Sequence, residues 1–297
     1  MEPIILMICL AGLIVGSITD LRTREVPDWI NYGLMFAGFG IALIYTVLNQ
    51  SFQHLIESII GFGIFFAIAW IMYYTGQWGG GDSKMIMGLG ALVGITWPFS
   101  SWFNIDFYTN GLPFMLNFIL YSIVVGAIYG LLWSTVLAII NRKKLFKEFK
   151  RLLQTKKIVF YKKILIGILA IAIISQFFVD KNFKILILTM VLIIGIGFYL
   201  FIYIKSIEKV CMLKMVIPEK LTIGDWIAKD VIINEKVICG PDDLGIEEDQ
   251  IKKLITLKKK GKIKEILIKE GIPFVPSFLI AFLLTLFYGS NLFLHFL

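Results

Sequence analysis

Apolar blocks near the length of a bilayer-spanning helix constrain this chain more than any other feature. Eight of them run over residues 3–19, 30–48, 58–76, 83–97, 113–140, 164–179, 185–204 and 274–296. A hydrocarbon core of about 30 Å takes about 20 apolar residues in helical conformation. Inside a bilayer the backbone must satisfy its own polar groups, which leaves helices or closed barrels, and blocks of this length point to helices. Hydrophobic residues make up 58% of the chain and charged residues only 17%, below the roughly 25% of an average soluble domain. Only Met1 and Glu2 precede the first block, and no A-x-A-like site follows it, so it reads as a retained span and not a cleaved signal.

The net charge of +8 is explained by topology and not by a nucleic-acid partner. Lys and Arg accumulate in cytoplasmic loops because they resist translocation. With the N terminus outside, the inner segments are 20–29, 77–84, 141–163 and 205–273. They hold 27 of the 29 Lys and Arg residues, and the outer loops hold Lys181 and Lys184. The inverted topology would export those 27 charges, so the expected orientation in the plasma membrane has the N terminus outside.

Two segments break the apolar pattern. In 141–163, Leu145, Phe149, Leu152 and Leu153 share one helical face among many Lys and Arg, which predicts a helix lying in the cytoplasmic interface. Residues 205–272 are the only stretch polar enough for a soluble domain. The Ile- and Val-rich run from Leu221 to Ile238 reads as strands. Residues 247–260 read as a helix with an acidic first turn, a basic last turn and Gly261 as its stop. Prolines at 273 and 276 suit the first turn of the last span. The expected fold is an all-α polytopic membrane protein of about eight transmembrane helices with a small α+β cytoplasmic domain. Its parts are a membrane domain over 1–204, the cytoplasmic domain over 205–272 and a last helix over 273–297.

Cys9, Cys211 and Cys239 have no ligand spacing. His54 falls in an expected outer loop and His295 near the outer end of the last helix, without clustered partners. No metal site and no cofactor are expected.

The chemistry points to two aspartates. Ionisable residues at the edge of a span are costly and often functional. Asp20 follows the first apolar run, in Asp20-Leu-Arg-Thr-Arg-Glu-Val-Pro-Asp28. Asp82 opens the fourth, in Gly79-Gly80-Gly81-Asp82-Ser83-Lys84. The three glycines admit close approach of other backbone, including that of an extended substrate. Both aspartates fall on the cytoplasmic face. Two carboxyls at one site share a proton, so one can activate water while the other protonates a carbonyl. The structural readings are that Asp20 flanks helix one, paired with Arg22 or Arg24, and that Asp82 is the N-cap of helix four. Glu25 and Asp28 read as loop residues or supports, and Lys84 as a carboxylate partner or headgroup contact.

At these residues the chain resembles the prepilin peptidase family, the GxGD-type aspartic peptidases that process type IV pilins and archaeal flagellins. The resemblance rests on 20–28 and 79–94 and implies that Asp20 and Asp82 are the catalytic pair. It also implies that the substrates are prepilin-like or preflagellin-like proteins, cut after a short basic leader at the cytoplasmic membrane face. The loop after helix one is too short for the paired Cys-x-x-Cys motifs of many bacterial members. Cys211-Met-Leu-Lys, Gly224-Asp-Trp-Ile-Ala-Lys-Asp230 and Glu270-Gly-Ile-Pro-Phe-Val-Pro-Ser277 are similar to the C-terminal extension of archaeal members. Two readings compete. A presenilin- or signal-peptide-peptidase-like intramembrane protease pairs its GxGD aspartate with a Tyr-Asp, whereas Thr19 precedes Asp20 here, and no Pro-Ala-Leu occurs. A transporter would place acidic residues near mid-membrane at broken helices.

Overall fold

The computed structural model describes residues 2–94, 114–233 and 236–289. Its helices in chain order are α1 (Glu2–Thr23), α2 (Asp28–Asn49), α3 (Gln53–Tyr74), α4 (Gly80–Val93), α5 (Phe114–Ile140), α6 (Arg142–Leu153), α7 (Lys156–Ser175), α8 (Lys181–Ile207), α9 (Glu248–Lys259) and α10 (Val275–Tyr288). Six of them, α1, α2, α3, α5, α7 and α8, are long and apolar enough to cross a membrane. The protein is therefore multi-pass, but the expected count of eight is not reproduced. Helices α4 and α10 have 14 residues each, about 21 Å at 1.5 Å per residue. The expected continuations of these two blocks, to 97 and 296, lie outside the described residues, as does His295. His54 sits in the first turn of α3 and not in a loop.

The basic segment 141–163 divides where the sequence reading made it continuous. Leu145, Phe149, Leu152 and Leu153 do share the inner face of α6, with Leu145 and Leu152 buried. That face has a protein partner, since Leu145 packs with Ala138, Ile207, Tyr203 and Cys211. After a break at 154–155, residues 156–163 open α7. The apolar stems of Lys156, Lys157, Lys162 and Lys163 let the span begin two turns before its apolar block.

One core cluster joins α1 to α5 and α10. Its closest approach is between α3 and α4. A Cβ on Gly61 would lie 2.5 Å from the carbonyl oxygen of Gly90, and one on Gly90 would lie 2.7 Å from that of Gly61. Apolar burial gives helices little reason to associate in lipid, so small residues that admit this contact do much of the holding. The Ser58 hydroxyl donates across the same seam to the carbonyl of Ala91, at 2.6 Å. Helices α7 and α8 keep most side chains on the outer surface.

Helix α8 runs through a π-helical turn (Glu208–Met212) into β1 (Leu213–Val216). The strands β2 (Trp226–Ile227), β3 (Val231–Ile233), β4 (Lys236–Cys239) and β5 (Ile266–Lys269) follow. Strand β5 is central in an antiparallel sheet of order β1-β5-β2, and β3 and β4 form a separate hairpin. Leu221, Ile227, Cys239, Ile246, Leu254, Ile266 and Ile268 bury one small core. Helix α9 matches the expected 247–260 closely. The N–H of Glu247 donates to Gln250 Oε1 at 2.8 Å, and Gly261 ends the element at φ +70°, a conformation that favours glycine.

Candidate active site

Asp20 lies in the last turn of α1. The helix stops because Arg24 takes a left-handed conformation, φ 61°, while its N–H donates to the Asp20 carbonyl at 2.9 Å. Holding a non-glycine residue there costs of order 1 kcal/mol and needs tertiary support. The Arg24 guanidinium supplies it, donating to the Gly271 carbonyl, pairing with Glu270 at 3.7 Å and lying over the Trp133 ring. Arg24 therefore does not serve as an ion-pair partner of Asp20, and Arg22 is exposed. The Asp20 side chain points inward, and the residue is only 5% exposed. Its Oδ2 accepts the N–H of Val275 at 2.9 Å. Val275 opens α10, so the carboxylate of α1 caps the positive end of a helix 255 residues later.

Asp82 lies in the first turn of α4, where its Oδ2 accepts the N–H of Gly79 at 3.0 Å. Gly79 itself occupies the N-cap, which corrects the reading of Asp82 as that cap. Of the three glycines, Gly81 is under the tightest steric demand. A Cβ there would lie 3.1 Å from Val26 Cβ and 3.3 Å from Val26 N. Its absence lets the turn after α1 settle against the start of α4. Asp20 and Asp82 come within electrostatic range of each other.

Asp28 and Lys84 also meet. Lys84 Nζ donates to Asp28 Oδ1 at 2.6 Å and lies 5.2 Å from the Tyr32 ring centroid. This pair ties α2 to α4 beside the two aspartates. It is substantially exposed, with side chains 35% and 61% accessible, so it contributes about 0.5 kcal/mol. A double-mutant cycle of Asp28→Asn and Lys84→Met, read by thermal unfolding in detergent, is expected to return a coupling of that size. A coupling of several kcal/mol would contradict this assignment. Glu25 is exposed, and its charge reaches Asp225 of the polar region. Burial pushes the Asp225 carboxyl above its ordinary range, and the charges of Glu25 and Glu270 add to the effect.

The polar region and the chain leading to α10 reach both aspartate-bearing turns. The Tyr73 hydroxyl donates to the Leu244 carbonyl, and the Trp226 ring approaches Gly76. Trp78 packs against Phe274 and Phe278, with centroids at 6.1 and 5.1 Å. A cavity of about 220 Å³ opens between these parts, lined by Arg24, Leu137, Asn141, Lys214, Glu270 and Gly271 among others. Among the described residues no three His, Cys, Asp or Glu converge as a metal site would require. Sequence reasoning missed three residues near Asp20 or Arg24: Val275, whose N–H binds the Asp20 carboxylate, Tyr129, whose hydroxyl is within electrostatic range of it, and Trp133, whose ring lies beside Arg24. Tyr129 and Trp133 carried one available signal, since they put two polar-tipped aromatics one turn apart in a membrane helix.

Two carboxylates, one buried and one partly exposed, at the same end of the bundle are equipped for acid–base hydrolysis without a covalent intermediate. The sequence profile of the type IV leader peptidase family matches residues 7–131. Three proteins named preflagellin peptidase are similar to this chain. The one from Methanococcus maripaludis is 43% identical over 82 residues, 28% of this chain and 35% of its own length. That from Methanocaldococcus jannaschii is 38% identical over 87 residues, again 28% and 35%. That from Methanococcus voltae is 31% identical over 120 residues, 36% and 51%. The chain thus spans between a third and about half of the length of these relatives. Asp20 and Asp82 both fall inside residues 7–131, the stretch over which this chain is similar to the type IV leader peptidase family.

Proposed function

We propose that this protein is a membrane aspartic endopeptidase that removes the short basic leader from prepilin-like or preflagellin-like proteins. Cleavage takes place at the cytoplasmic membrane face and uses Asp20 and Asp82 as a dyad. The observation that carries this reading is the meeting of the two aspartate-bearing turns at one end of the bundle, with each carboxylate held by a main-chain N–H. The dyad shares one proton. The ionised carboxylate takes a proton from water as the water oxygen bonds to the scissile carbonyl carbon, and the other carboxyl protonates the carbonyl oxygen. The tetrahedral intermediate then collapses and the C–N bond breaks: the leaving amine takes a proton from one carboxyl while a hydroxyl of the intermediate gives its proton to the other carboxylate, which restores the singly protonated dyad. The pair titrates as a unit.

The uneven distribution of Lys and Arg supports a plasma-membrane orientation with the N terminus outside and the site facing the cytoplasm. In this reading α4 and α10 complete a set of eight spans. Residues 1–204 form the peptidase domain, with 141–163 as its basic segment, 205–272 the cytoplasmic domain and 273–297 the last span. Gly80 leaves room for an extended substrate beside Asp82, Gly79 gives its N–H to the Asp82 carboxylate, Gly81 lets the turn after α1 pack against α4, and Glu25 offers negative charge to a basic leader. Asp28 and Lys84 support the site through their ion pair.

The test is in vitro cleavage. Purified protein in detergent is incubated with a preflagellin-like substrate, and the product masses are read. A single cut between the basic leader and the apolar helix is the expected result. Cuts inside the apolar helix, or none across a panel of leader-bearing substrates, would sink the proposal.

A further inference from the structure

Helix α5 lies outside both aspartate motifs, yet three of its buried donors, on Ser122, Tyr129 and Trp133, have nothing to bond among the described residues, and the last two lie toward the aspartates. The Tyr129 hydroxyl and the Trp133 indole N–H are both shielded from solvent and without a hydrogen-bond partner there. Their rings stack with centroids at 6.0 Å and planes at 28°. A buried polar group left unsatisfied is destabilising, so two on one helical turn form a standing deficit. They also sit beside the chemistry. Tyr129 Oη is within electrostatic range of the Asp20 carboxylate and the Arg24 guanidinium, and the same guanidinium lies 5.8 Å from the Trp133 ring centroid. The stripe continues down α5 through Leu137 to Asn141, the N-cap of α6, and both line the 220 Å³ cavity with Arg24.

We infer that Tyr129 and Trp133 are substrate-binding donors of this active site. The Tyr129 hydroxyl is placed to donate to the scissile carbonyl oxygen, and the Trp133 N–H to a neighbouring main-chain carbonyl of the same extended segment. This inference rests on the peptidase reading above and adds residues to it. The chemistry suits an unsatisfied donor. The carbonyl oxygen gains electron density as water adds to the carbonyl carbon, and a donor waiting in a dry site stabilises that charge without reorganising. The groups that face the Asp20 side chain are then Asp82 from α4, Arg24 from the end of α1, Tyr129 from α5 and the main-chain N–H groups of Phe274 and Val275 at the start of α10.

The test is Tyr129→Phe, which deletes only the hydroxyl. The variant and wild type are compared by steady-state cleavage of a leader-bearing preflagellin-like substrate and by thermal unfolding. A donor to the reacting carbonyl predicts a loss of about 10²-fold in kcat with KM little changed. Because the hydroxyl has no partner among the described residues, its removal is expected to leave Tm unchanged or raised. Trp133→Phe is expected to act mainly on KM. A kcat within twofold of wild type in Tyr129→Phe overturns the inference, and so does a loss of activity that tracks a fall in Tm. Those outcomes differ from failure of the underlying reading, in which wild type itself cleaves no leader and both proposals fall together.

Discussion

Asp20→Asn and Asp82→Asn are each expected to lower kcat/KM for leader removal by about 10³-fold or more, while the protein still folds and inserts. Asparagine matches aspartate in shape, and its side-chain carbonyl can still accept the N–H that each carboxylate now accepts. The amide at position 20 can keep the bond from Val275, and the amide at position 82 the bond from Gly79. The folded state is therefore preserved and only the protonic function is removed, since an amide neither takes a proton from water nor gives one to a carbonyl. Residues of a proton-sharing dyad act as a unit, so under the proposed mechanism the double variant is expected to be about as impaired as either single one. Cleavage kinetics and detergent thermal unfolding on all three variants decide the matter. A single variant that keeps a tenth of wild-type activity would remove that residue from the dyad. Deficits that multiply in the double variant would show two independent contributions in place of one shared proton.

The second large effect is structural. Gly61→Ala is expected to destabilise the protein by about 3 kcal/mol and to abolish cleavage with it. The new Cβ would meet backbone, lying 2.5 Å from the Gly90 oxygen and 2.7 Å from Gly94 Cα. Neither can rotate away, so α3 and α4 must separate. That movement reaches the start of α4, where Asp82 is held. Gly63→Ala, two residues along the same helix, is the control, because nothing lies within 4 Å of its Cβ position. There the change is expected to be neutral or slightly stabilising, since alanine is the better helix former. Equal melting temperatures for the two variants would show that the α3–α4 contact is not the constraint described above.

The parts legible in the sequence are those whose physics is local. Residues 247–260 announce a helix through charge matched to the dipole and a glycine stop, and α9 forms within a residue of that span at each end. The apolar blocks announce their helices because bilayer length is written into composition. Boundaries that depend on side-chain stems are less visible. The start of α7 at Lys156 falls in a basic run that reads as one interfacial segment until its methylene chains are counted as apolar. Contacts between distant segments leave no trace. Nothing near Asp20 indicates that Val275 will donate to it, and the Lys84 pairing with Asp28 is one option among several until α2 and α4 come together. Tyr129 escapes a reading of the sequence for the same reason, since its meaning depends on Asp20 and Arg24 being near, not on its own neighbours in the chain.

The bond from Val275 to Asp20 also sets an order of events during synthesis. At about 5–20 residues per second, the 255 residues between the two take roughly 13–50 s to translate. Throughout that interval α1 is already made, and the donor for its aspartate has not yet emerged. The first helix of the bundle thus waits for α10 before its carboxylate has the partner seen in the folded protein. Maturation of the site is in this sense a clock. A chain caught midway through translation holds both aspartates but neither the Val275 bond nor the cavity wall supplied by Glu270 and Gly271.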